Sequence, residues 1–101
     1  MTRSEHLEQI GVYFREILET FESKNLEYAS ENSIFKNFEA ISAAEGITRE
    51  RAAWFLMMKH WESVRRMTEQ PGEIPEYILK EKFTDLVSYM WLIRSMLSDR
   101  S

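Results

Sequence analysis

Pro75-Glu-Tyr-Ile-Leu-Lys-Glu-Lys-Phe-Thr-Asp-Leu-Val-Ser-Tyr-Met-Trp-Leu-Ile-Arg-Ser-Met-Leu97 is the stretch on which the fold turns. It holds no glycine, and its one proline stands at the first position, where a missing N–H costs a helix nothing. At roughly 100° per residue, Leu79, Phe83, Leu86, Met90, Ile93 and Leu97 fall on one stripe. Ile78, Glu81, Asp85, Tyr89, Leu92 and Met96 fall on a second, about opposite. The first stripe is expected to pack into the chain's own core. The second is apolar apart from two carboxylates, so it needs a partner that tolerates negative charge.

Working outward, Glu69 to Ile74 reads as a linker turning at Pro71-Gly72. Arg49 to Thr68 reads as a helix whose centre, Ala52 to Met58, is apolar almost all round. A helix of that kind is central or lies at a subunit interface. His60 projects into the stripe of Ala53, Leu56, Met57, Val64 and Met67, and Lys59 falls on the polar flank. Gly46 suits a helix C-terminus, and Thr48 suits the next N-cap. Ile34 to Glu45 is a short helix with Phe35, Phe38 and Ile41 on its buried side. Glu22 to Ser33 is polar, with loop character from Ala29. Leu7, Ile10, Phe14, Ile17, Leu18 and Phe21 mark a one-sided first helix with Ser4 as its expected cap. The expected fold is all-α: one domain over residues 1–101, an antiparallel bundle of three long helices and one short one, at about 4–23, 34–45, 49–68 and 75–98.

Composition narrows the function classes. Cysteine is absent, which excludes a disulfide framework and thiolate chemistry. The formal charge of −4 disfavours a generic nucleic-acid binder. No apolar run approaches a membrane span, and the first residues lack a signal-peptide core, so a cytoplasmic location without membrane contact is expected. No Walker loop, dinucleotide fingerprint, zinc spacing or nucleophile elbow occurs.

Glu81 and Asp85 lie four apart and share a helix face. Such a pair can ligate Mg²⁺ and leave positions for phosphate oxygens. It can equally be a surface acid pair beside Lys80 and Lys82, the commoner case. Lys59-His60 can bind phosphate or serve as a surface lysine and a core histidine. Trp54, Trp61 and Trp91 can stack a base, but core or dimer interface is the more frequent use of such residues. Asn37, polar between Phe35 and Phe38, either caps something or meets a ligand.

These pieces occur in the order Lys24-x-x-Glu27-Tyr28, Asn32-x-x-Phe35-Lys-Asn37-Phe38-Glu39, Lys59-His60, and Glu81-Lys-Phe-Thr-Asp85-Leu-Val-Ser-Tyr89. The series resembles a family of small, mostly phage-encoded helical proteins described as nucleotide-modification-associated. They look like distant relatives of the MazG and dimeric dUTPase class of all-α nucleotide pyrophosphohydrolases. The resemblance covers roughly Lys24 to Leu97. It implies Glu39, Glu81 and Asp85 as metal candidates for Mg²⁺, and Tyr28, Asn37, Lys59 and His60 as ligand-binding candidates. It also implies a homodimer, for which Trp54, Trp61, Tyr89 and Trp91 are the interface candidates. The chain departs from the pattern in three places. It has no Glu-Glu-x-x-Glu run, Glu27 stands where Asp is more common, and Ser88 stands where Asn is usual. The resulting expectation is a phage-type protein, cytoplasmic in its host, that binds a nucleotide or a host protein without full catalytic machinery. A Mg²⁺-dependent pyrophosphohydrolase and a purely structural oligomer are the alternatives.

Overall fold

A computed structural model describes residues 1–28 and 34–100, with side chains described outside 24–28. Four helices account for nearly all of it: α1 (Arg3–Tyr28), α2 (Lys36–Glu45), α3 (Arg49–Glu69) and α4 (Glu76–Ser98). Among the described residues there is no strand. No helix among them is long and apolar enough to cross a membrane.

The boundaries follow local chemistry. Thr2, not Ser4, starts α1. Its hydroxyl accepts from the Glu5 N–H at 3.1 Å and donates to the Glu5 carboxylate at 3.1 Å. Thr2 is therefore the N-cap, whereas Ser4 already lies inside the helix. Helix α1 continues past 23 to Tyr28, up to the point where loop character begins in the sequence. The loop expected at Ala29 to Ser33 lies outside the described residues. Helix α2 begins at Lys36, because Ile34 and Phe35 form a turn before it. It ends at Gly46, whose φ of 68° is the left-handed conformation that favours glycine. The Gly46 N–H reaches the Ser42 carbonyl at 3.0 Å, and the Ser42 hydroxyl donates to the Ile47 carbonyl. Thr48 caps α3 as expected, its hydroxyl accepting from the Arg51 N–H at 3.1 Å. Thr48→Ala is expected to cost about 1 kcal/mol, read as a lowered urea midpoint with an unchanged slope. Pro75 stands just before α4, and its carbonyl accepts from Ile78 and Leu79.

Helices α3 and α4 form the main hairpin, with α2 packed on α3 and α1 on α4. The hairpin is antiparallel, because the start of α3 meets the end of α4. Arg49 donates to the Met96 carbonyl at 3.4 Å and to the Asp99 carboxylate at 3.0 Å. It also reaches Glu39 on α2 at 3.2 Å, and its guanidinium lies 4.8 Å over the Phe35 ring. Hydrogen bonding to Asp99 holds the Arg49 pKa above its ordinary value. Arg100 adds a second clasp to Glu50 at 3.1 Å. The Arg100 hydrogen bond holds the Glu50 carboxyl below its ordinary 4.5, against the opposing effect of burial. A depressed carboxylate contributes stability that is present above its unfolded pKa and lost as pH falls through the folded one. A melting curve series should therefore show Arg100→Gln lowering Tm at pH 7. The gap to the unaltered chain should narrow below pH 4.5.

The core is small: Phe38, Ala53 and Met96 cluster together with Phe35, Tyr89, Leu92 and Ile93 against them, and Ala52 and Met57 of α3 are also buried. This core draws more on the second face of α4 than on the first, from which Ile93 packs against it. The side that turns inward carries Thr84, Ser88, Tyr89, Leu92 and Met96, the flank and length of the acidic stripe. Phe83, Met90 and Leu97, expected in the core, are 46%, 50% and 47% exposed. Amphipathic spacing locates apolar faces but is silent on which neighbour each face meets. Here Ala53, fully buried, lets α4 approach α3 closely on the Met96 side. One of the two carboxylates on that side, Asp85, finds its partner on α3.

Candidate functional site

That partner is His60. Its Nδ1 lies 3.7 Å from Asp85 Oδ2, with both side chains mostly covered at 21% and 15% exposure. The His60 ring stacks on Tyr89 at 5.1 Å between centroids and 29° between planes. Tyr89 in turn meets Phe38 edge-on at 6.2 Å. Asp85 and Tyr89 are i and i+4 on α4, so both face the turn of α3 that carries His60. The helical projection of His60 onto the Ala53 and Met57 side of α3 therefore matches the structure, although Leu56 of that stripe is 42% exposed.

Asp85 also opens, with Glu81, onto a surface cavity of about 400 Å³ between α1 and α4. Thr20 from α1 and Tyr77, Lys80 and Thr84 from α4 complete its wall. Glu81 is exposed and lies 3.7 Å from Lys82 Nζ. The cavity thus gathers two carboxylates, an ammonium, a phenol and two hydroxyls. Two carboxylates a turn apart can ligate Mg²⁺ and leave positions for phosphate oxygens. Lys80 could meet a further phosphate oxygen.

Glu39 is not part of this group. It is held by Arg49, which also binds Asp99. Asp99 follows Asp85 by 14 residues, about 21 Å along a helix axis. Among the described residues, no three His, Cys, Asp or Glu side chains come together as a metal cluster. Lys59 and Asn37 are exposed. Tyr28 closes α1, with its side chain outside the described residues. Of the aromatic interface candidates, Trp54, Trp61 and Trp91 are 40%, 52% and 42% exposed, while Tyr89 is turned inward against Phe38 and His60.

Four residues of the cavity wall, Thr20, Tyr77, Lys80 and Thr84, carried no signal in the sequence. Thr20 is supplied by a helix more than 50 residues away in the chain, and Tyr77, Lys80 and Thr84 read as ordinary helix-surface residues. Ser88 is a further surprise. It is 9% exposed, and its hydroxyl has no hydrogen-bond partner among the described residues. An unsatisfied buried hydroxyl costs about 1–3 kcal/mol. Ser88→Ala is accordingly expected to raise Tm by a few degrees, measured by calorimetry.

No family model, no curated protein and no solved structure matches this chain.

Proposed function

We propose that this chain is a small binding protein of MazG-like, phage-type ancestry. It takes a nucleotide at the Asp85 cavity and lacks the full set of groups for turning it over. One observation carries the reading: Glu81 and Asp85 open on one cavity, while the third candidate carboxylate, Glu39, is committed to Arg49. Mg²⁺ held by Glu81 and Asp85 would bridge to the phosphates, with Lys80 sharing their charge. His60 and Tyr89, stacked behind Asp85, orient that carboxylate. In this reading the working unit is a homodimer in the cytoplasm.

A host protein is the second occupant, and one feature favours it. Trp54, Met58 and Trp61 stand at i, i+4 and i+7 on the outer side of α3, all exposed. That is the spacing of a helix-on-helix seam. A Mg²⁺-dependent pyrophosphohydrolase remains the alternative activity.

A melting screen against a nucleotide panel, with and without Mg²⁺, tests the reading. A ligand that binds the folded state raises Tm by mass action. At least one nucleotide should raise it by several degrees, without pyrophosphate release and not in Asp85→Ala. Pyrophosphate release that Asp85→Ala abolishes would replace the binding role with the enzyme. A flat screen together with a stoichiometric host protein retained from lysate would replace it with protein recognition.

A further inference from the structure

Among the described residues, an apolar surface without a partner lies along α1 and α4. On α1, Leu7, Phe14 and Leu18 are 56%, 50% and 63% exposed. On α4, Phe83, Met90 and Leu97 are about half exposed. The two helices are joined by a groove of about 390 Å³, with Tyr13 and Ile17 on one side and Leu79, Phe83 and Val87 on the other. We propose that a second copy of this chain covers this face, so that α1 and α4 of two subunits form one apolar layer. The proposal rests on the homodimer of the functional reading above and specifies its surface.

Area identifies the occupant. The single chain exposes 7776 Å² for a mass of 12.1 kDa. A compact monomer of that mass exposes about 6,000 Å². The excess, roughly 1,700 Å² per chain, is about twice what each partner of a standard interface buries and falls in the obligate-homodimer range. A small molecule in the groove would cover a fraction of it. Shape agrees with area. The radius of gyration is 15.6 Å, against about 13 Å for a compact chain of this length. Helix α1, 26 residues long, packs substantially on α4 alone. Charge permits self-contact, because the groove rim carries Glu16 and Glu76 beside Lys80. A two-fold axis can then set unlike charges against each other.

Sedimentation equilibrium of the full chain at micromolar concentration should return twice 12.1 kDa. Phe14→Glu and Met90→Glu should each weaken the dimer at least 100-fold and sediment as monomers. Trp61→Glu on α3 should remain dimeric. A monomeric unaltered chain overturns both the homodimer and this surface. A dimer broken by Trp61→Glu and untouched by Phe14→Glu and Met90→Glu keeps the homodimer but overturns the surface. Both results are independent of the nucleotide screen. Separated subunits of an obligate dimer can unfold, so a second measurement needs no dissociation. The chain has no cysteine, and a single thiol can be placed at will. Maleimide should label Leu18→Cys at least 10-fold more slowly than Trp61→Cys, whereas equal rates overturn the proposal.

Discussion

Met96→Ala is expected to destabilise the fold by about 2–5 kcal/mol, the range for truncating a fully buried methionine. Met96 is 0% exposed and forms one buried cluster with Phe38 and Ala53. Phe38 comes from α2, Ala53 from α3 and Met96 from α4, so one thioether side chain joins three helices. Little is available to refill the space. Phe35, Leu92 and Ile93 are already packed against the cluster, and Arg49 fixes the end of α4 from outside. For a chain of about 100 residues, total stability is about 5–15 kcal/mol. The loss therefore approaches the whole for a chain near the low end. Urea unfolding followed by circular dichroism should show a much lower midpoint. Met58→Ala, on the exposed side of α3 and away from the proposed subunit contact, should by comparison leave the midpoint nearly unchanged. Equal losses for the two would mean that Met96 does not sit in the core.

Ala53→Leu is expected to cost about 1–3 kcal/mol through overpacking. Ala53 is 0% exposed and sits where α3 meets the Met96 cluster. Three added carbons have no space unless α3 moves away from α4. His60 lies two turns further along α3, and its contacts to Asp85 and Tyr89 span the same interface. The variant should therefore lose stability and ligand response together. Any nucleotide-induced Tm shift should fall by more than in Trp54→Leu, a change to the adjacent, exposed residue. A destabilised Ala53→Leu that keeps its full ligand shift would place the binding site elsewhere.

The candidate site was legible in part. His60 could be placed on the inward side of α3 because its neighbours at three- and four-residue spacing, Ala53, Met57 and Val64, are apolar. Asp85 and Tyr89 could be placed on one face by the same count. The pairing of Glu39 with Arg49 could not be read, because their encounter depends on the angle at which α2 returns across Gly46 and Thr48. Thr20 could not be read either, since nothing in α1 marks which of its residues borders Glu81 and Asp85.

Local chemistry decided the helices themselves. The Thr2 cap, the left-handed Gly46, the Thr48 cap and Pro75 act through bonds within a few residues, so they are written in the chain. Apolar spacing likewise marked two faces on α4 before any neighbour was known. Which face turned inward was decided only in three dimensions. Both stripes are rich in large apolar side chains, so the hydrophobic effect alone does not choose between them. The choice fell to fit and charge: Ala53 admits Met96, and His60 gives Asp85 a partner across the helix contact. The face left outside, Phe83, Met90 and Leu97, is the surface on which the second copy is proposed to sit.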